Sequence, residues 1–430
     1  MVRGTRTQMV PESSEVASPV EAPGVQQAKT RKRFKLRLPW RRSLTWAKTQ
    51  VDLARIYVAM RRLRLARLAV ARKDWSEAAR RWQQVLVTEL GRVSSEAYAG
   101  LIRALRNCGS VAEAEIALRE ARERFPRDFR ILAEQAILEN FAQLPRARRA
   151  AFSEPIRTQV EIIVCVYNAF DETRACLEAL AARTPDGQLL TLVDDASHPE
   201  VRDFLKGFVA QAPGRRLLIN EVNQGYTRSA NRGLKAARAD WALLLNSDTL
   251  VTEGWLRGLL ECAASESSIR AVGPLSNAAT FQSLPWADGI FEKGRMPDAE
   301  TLESVAARVR EVSSAAFPKV PLLNGFCIML HKPTLDKVGY LDQTKFPRGY
   351  GEENDLCLRF LVCDHKLAIA DNVFVYHARS ASFGSDVRKE LTANAVETLK
   401  RLWPGYSYNY ISEVVQEIPA LQQIRDAFTA

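Results

Sequence analysis

VEIIVCVYN (160–168) is a near-continuous β-branched run, and the pattern of elements after it decides the fold. A helical stretch at 171–183 leads to QLLTLVDDAS (188–197), RRLLINE (215–221), a helical GYTRSANRGLKAARA (225–239) and DWALLLNSDT (240–249). Strands buried on both faces lose the alternation of apolar and polar residues. Apolar runs alternating with helices therefore predict a mostly parallel α/β sheet covered on both sides. Ligands bind such sheets beyond the carboxyl ends of the strands. Those ends carry Tyr167 and Asn168, Asp194 and Asp195, and Asn246 to Asp248, which is where a site is expected.

Upstream, residues 46–144 read as helical throughout. DWSEAARRWQQVLVTEL (74–90) with SSEAYAGLIRALRNCG (94–109) forms one unit, and SVAEAEIALREARERFP (110–126) with DFRILAEQAILENF (128–141) a second, offset by 36 residues. Alanines at close-packing positions (Ala78, Ala79; Ala114, Ala117) give the region a resemblance to tetratricopeptide hairpins, whose period is about 34 residues. A plain helical bundle is the simpler reading. Pro145, the arginine-rich 146–149 and Pro155 mark a linker over 145–158, and 385–430 reads as C-terminal helices broken at Pro404 and Gly405.

The chain has 430 residues, 47% of them hydrophobic and 26% charged, which suits a globular protein with more than one domain. Its apolar runs fall far short of the ~18 residues that span a bilayer, and no export signal is apparent. Seven cysteines include no Cys-x-x-Cys pair, and an odd count fits neither a disulfide framework nor a zinc ribbon. Buried or free thiols in a reducing cytoplasm are expected.

The net charge of +11 is concentrated at one end. Residues 1–73 hold 18 Lys and Arg against four Asp and Glu, so the basicity belongs to an arm and not to the body. That argues against nucleic acid as a partner. Residues 1–45 read as a disordered basic arm. Within it, 29–42 carries eight basic residues and no acid, interleaved with Phe34, Leu36, Leu38 and Trp40. This composition suits a cytoplasmic contact with an anionic membrane surface, peripheral on the inner face of the plasma membrane. The alternative is a solvated arm leading into a helix.

The motifs VYN (166–168), VDDAS (193–197), NQGYTRSANRGL (223–234), LLLNSDT (243–249), NGFCIML (324–330), GYGEENDLCLR (349–359) and VYHARSASFG (375–384) stand in one order. In this order they resemble a family 2 glycosyltransferase of the GT-A fold over 159–384, in the bacterial surface-polysaccharide branch of rhamnosyl- and galactofuranosyl-type enzymes. The resemblance implies an inverting, metal-dependent transfer from a nucleotide-diphosphate donor, UDP- or dTDP-linked, to a glycan or lipid-linked acceptor. A catalytically inactive scaffold acting through the helical repeats is the alternative. A sugar-nucleotide pyrophosphorylase is disfavoured, because VYNAFDETR lacks a phosphate-binding glycine loop.

Carried over by motif, Asp195 accepts from the base and Asp194 orients its loop, with Tyr167 and Asn168 beside the base. Cys165 stands where many relatives have Thr or Ser. Arg228, Asn231, Asn246 and Ser247 face the ribose, sugar and diphosphate. Asn246-Ser247-Asp248 replaces Asp-x-Asp, so a Mn2+ or Mg2+ ion would need His377 beside Asp248. An acceptor hydroxyl needs a base, and the pattern assigns it to Glu353. Glu352, Asp355, Asn324, Gly325 and Trp286 complete the expected acceptor side.

Overall fold

The structure, a computed structural model, describes residues 44–141, 158–285, 297–378 and 385–429, with side chains from 52 in the first stretch and from 389 in the last. The expected arm through residue 43, the linker through 157 and Trp286 lie outside these residues. The chain divides into two units, Met1–Asp52 and Leu53–Ala430. In the first, the described part is the start of a helix.

In the second, strands β1 (Val160–Val166), β2 (Leu189–Asp194), β3 (Arg215–Ile219), β4 (Trp241–Asn246), β6 (Ile269–Leu275), β7 (Cys327–His331) and β8 (Lys366–Phe374) form one sheet in the order β3-β2-β1-β4-β7-β6-β8. β5 (Thr249–Leu250) pairs separately with β9 (Tyr376–His377). β1 to β4 run parallel, with Val166 beside Asp194 and Cys165 beside Asn246, which aligns the three expected strand ends at one rim. β7 runs antiparallel to β4 and β6. One polar residue interrupts the apolar run of β1. Glu161 is fully buried and is matched by the Thr191 hydroxyl, Arg216 and the Arg238 backbone N–H.

The N-terminal helices are α1 (Leu44–Ala71), α2 (Trp75–Leu86), α3 (Glu89–Arg92), α4 (Ser95–Asn107), α5 (Val111–Arg124) and α6 (Phe129–Leu138). Asp74, Thr88, Ser94 and Asp128 cap their helices by accepting backbone N–H groups. α2 and α4 meet so closely that a Cβ on Gly100 would lie 2.3 Å from the Trp82 indole. Around the sheet lie α7 (Phe170–Arg183), α8 (Pro199–Ala210), α9 (Tyr226–Ala236), α10 (Trp255–Ser265), α11 (Ala299–Val312), α12 (Lys332–Val338) and α13 (Glu352–Val362), followed by α14 (Ser385–Leu402), α15 (Tyr408–Gln416) and α16 (Pro419–Asp426). Among the described residues no helix is long and apolar enough to cross a membrane.

The expected helical block shares its last helix with the sheet. Phe129, Leu132, Ala136 and Ile137 of α6 belong to the same buried core as β1, β4, α13 and the C-terminal helices, while α2 to α5 surround a smaller core around Trp82 and Ile102. A buried ion network ties the layers. Arg106 pairs with Glu134 (2.8 Å) and Glu417 (2.7 Å), Arg103 pairs with Glu417 (2.7 Å) and Glu413 (2.9 Å), and Tyr410 donates to Glu134.

Candidate active site

At the rim, β4 hands over to β7 through a hydrogen bond from the Asn246 N–H to the Phe326 carbonyl (2.8 Å). Gly325, just before Phe326, lies against Glu353, whose side-chain carbons would stand 3.5 Å from a Cβ there. The Phe326 ring stacks on the His377 imidazole, with centroids 5.1 Å apart and planes 17° off parallel. His377 Nε2 in turn lies 3.4 Å from Asp248 Oδ1. Glu353, Gly325, Phe326, His377 and Asp248 thus form one contiguous line, though they come from four separate stretches of chain.

His377 is held from three sides. Its backbone exchanges two hydrogen bonds with the Asn277 side chain (2.8 and 3.0 Å), and β9 pairs it with Thr249. Nδ1 lies 3.1 Å from the Ala278 carbonyl, which only accepts, so the ring proton is on Nδ1. In the neutral ring Nε2 then offers a lone pair, within 3.5 Å of the Asn246 amide nitrogen. A lone pair and a carboxylate oxygen 3.4 Å apart repel unless a proton or cation lies between them. The spacing is close to the ~3 Å between neighbouring ligands on an octahedral ion with ~2.1 Å bonds. This donor pair fits two positions of a divalent cation. Among the described residues no third His, Cys, Asp or Glu joins them.

The two glutamates open α13. Gly351 precedes them at a φ of 141°, and its N–H donates to Glu352 Oε2 (3.0 Å) and to Glu353 Oε2 (3.1 Å). Two carboxyls gathered at one N–H share charge poorly. Burial, then the adjacent Glu353, pushes the Glu352 carboxyl well above the usual carboxylate range. Burial raises Glu353 as well. Glu352 is buried, whereas Glu353 is partly exposed and is the one that can meet a substrate.

Tyr226, which the motifs did not single out, stands at the centre. Burial pushes its hydroxyl well above the ordinary tyrosine value, and Cys165, Glu352, Glu353 and Asp248 all add to the shift. Its position at the first turn of α9, directly after Gly225, was the signal available in the sequence. Burial also raises the Cys165 thiol, with Asp195 contributing.

The remaining expected residues divide by what they touch. Asp195 accepts from Asn220 (2.7 Å), the Gln224 N–H (2.8 Å) and the Gly225 N–H (2.9 Å), which fixes the turn into α9. Asp194 accepts from the Ser197 N–H (2.8 Å) and Arg202 (2.7 Å) and so orients its loop. Asn168 spans the β1 and β2 ends through the Ser197 hydroxyl and the His198 N–H. Tyr167 and Arg228 are exposed, and Ser247 is partly exposed beside Asp248. Asn324 accepts from the Phe326 N–H (3.1 Å) and shapes the turn holding Gly325.

Two of the expected residues tie separate segments together. Asn231 engages Leu341 with both ends of its amide and anchors the 341–343 segment. Asp355, expected at the acceptor, bonds Arg359 (2.8 Å) and the Trp403 indole N–H (3.0 Å) and fastens α13 to the C-terminal helices.

Residues 161–286 match the family model Glycosyl transferase family 2. EpsH of Bacillus subtilis is 29% identical over 110 residues, 26% of this chain and 32% of its own length. Glycosyltransferase GlyG of Streptococcus pneumoniae is 22% identical over 228 residues, covering 52% of this chain and 72% of that one. Succinoglycan biosynthesis protein ExoO of Rhizobium meliloti is 26% identical over 240 residues, covering 53% and 63%. The first two curated relatives matched are covered over only 32% and 42% of their length. Among solved structures, mannosyltransferase PcManGT from Pyrobaculum calidifontis, in complex with GDP-Man and Mn2+, aligns at a TM-score of 0.45 and 15% identity over 75% of this chain and 84% of that one. Residues 161–286 are thus a glycosyl transferase family 2 domain.

Proposed function

We propose that the protein is an inverting, metal-dependent glycosyltransferase. It moves a sugar from a UDP- or dTDP-linked donor, with rhamnose the favoured sugar, to a glycan or lipid-linked acceptor in bacterial surface polysaccharide synthesis. The observation that carries this reading is the unbroken line from Glu353 through Gly325 and Phe326 to His377 and Asp248. This line supports reading Glu353 as the base and Asp248 with His377 as the pair that would hold the cation.

Glu353 takes the proton of the acceptor hydroxyl. The freed oxygen forms a bond to the anomeric carbon from the face opposite the nucleotide, and the carbon–oxygen bond to the diphosphate breaks with its electron pair. One displacement inverts the centre, so no covalent intermediate forms. Asp248 and His377 would hold the Mn2+ or Mg2+ whose charge offsets that of the departing diphosphate. Asp195 fixes the turn into α9 and its remaining acceptor capacity faces the base, with Tyr167 as the exposed ring nearby. The protein works in the cytoplasm, with residues 29–42 toward an anionic membrane surface.

A thermal-shift screen of UDP-, dTDP- and GDP-sugars with and without Mn2+ tests this, since a bound ligand stabilises the fold in proportion to occupancy. One nucleotide class should raise Tm by several degrees only when the dication is present, and Asp248→Asn should abolish the dication requirement together with the shift. No stabilisation by any donor at millimolar concentration, and no sugar transfer, would favour the inactive scaffold.

A further inference from the structure

The middle turns of α1 carry an apolar face that no described residue covers. Leu53, Ile56, Tyr57 and Met60 are 53%, 46%, 70% and 57% exposed. Their i, i+3, i+4, i+7 spacing places them in one stripe. The helix docks on the body by small residues on roughly the opposite face, with Ala59, Ala66 and Ala69 buried. The exposed stripe is therefore additional to the one used for folding. Arg64 is exposed in line with the stripe and Arg61 beside it, and Asp52 is the one acid between 44 and 73.

We infer that this face of α1 is an interfacial helix that lies in the surface of an anionic bilayer. The inference rests on the reading of residues 29–42 as membrane-facing and extends it to a folded element with named contacts. A basic helix with an apolar stripe gains twice at such a surface, from burial of the stripe below the headgroups and from attraction of its cations to anionic lipid. Tyr57, the most exposed of the four, has the amphipathic ring that favours the headgroup zone. A second copy of the chain is the weaker occupant. Two turns of helix, ~11 Å long, offer far less than the ~800 Å² per partner of a stable dimer, and pairing would bring like charges together.

The test is flotation of the full chain with phosphatidylglycerol–phosphatidylcholine and pure phosphatidylcholine vesicles, alongside two variants. One replaces the stripe (Leu53→Ser, Ile56→Asn, Tyr57→Ser, Met60→Gln), and the other removes charge ahead of it (Arg31→Gln, Lys32→Gln, Arg33→Gln, Lys35→Gln). The wild type should float with the anionic vesicles and largely not with the neutral ones, and ~0.5 M salt should weaken binding. The stripe variant should lose about tenfold or more in partition while keeping its Tm, because all four side chains are exposed. Undiminished flotation of the stripe variant overturns the inference, even where the charge variant fails to bind and so upholds the role of 29–42. No flotation of the wild type overturns both. Concentration-dependent dimerisation that the stripe variant abolishes, without vesicle binding, assigns the face to a second copy instead.

Discussion

Gly351 offers a single N–H to two carboxylates, and this places an electrostatic cost at the start of α13. The helix N-terminus lessens that cost without removing it. Because Glu352 has a raised proton affinity when folded, it stabilises the native state fully below the ordinary glutamate pKa of ~4.3. That contribution is lost as pH rises through the higher folded value. Glu352→Gln, which mimics the protonated side chain, should therefore match the wild type near pH 4.5. It should gain stability as pH rises, by about 1–2 kcal/mol at pH 8. Thermal melts from pH 4.5 to 8 check this, and a gap that does not change with pH would contradict the shared-charge description. If Glu353 is the base of the proposed transfer, the same rise should move the acid limb of kcat/KM above the range of a free glutamate, which a pH–rate profile checks.

Turns rather than strands decide how the site is assembled. Gly225 has a φ of 82°, and a Cβ there would come within 2.8 Å of the Pro347 carbonyl, so only glycine lets α9 start where Asp195 holds it. Gly225→Ala should cost on the order of 1–3 kcal/mol of stability. It should also weaken nucleotide affinity more than it lowers kcat, which a KM-against-kcat comparison reads directly. Strands β1 to β4 were legible in the sequence because doubly buried strands leave unbroken apolar runs, and even Glu161 in β1 did not hide that; β6 and β7 were not read. His377 was legible only through motif order, since nothing local to VFVYH points to Asp248. Phe326 and Tyr226 were not legible, because their roles lie in contacts between segments far apart in the chain. The packing contact of Asp355 was not legible either, for a geometric reason. Two residues on from Glu353 on a helix, it faces ~200° away, toward Trp403.

At the scale of the Leu53–Ala430 unit, the central sheet and the helical block share a core and a buried ion network, and so should unfold together. Arg106 is fully buried between Glu134 and Glu417. Arg106→Ala leaves the buried Glu134 without its cation, while Glu417 keeps Arg103, and should cost about 3–5 kcal/mol, seen as a lowered but still single calorimetric transition. A high-temperature transition retained at its wild-type Tm would mean that the sheet is independent of the helices. The central claim, that one rim carries both the donor's cation pair and the acceptor's base, is tested most directly by Glu353→Gln with the stabilising nucleotide sugar. Donor affinity should stay within about twofold of wild type while sugar transfer falls by ~10²–10⁴-fold. Transfer within a few-fold of wild type would contradict it.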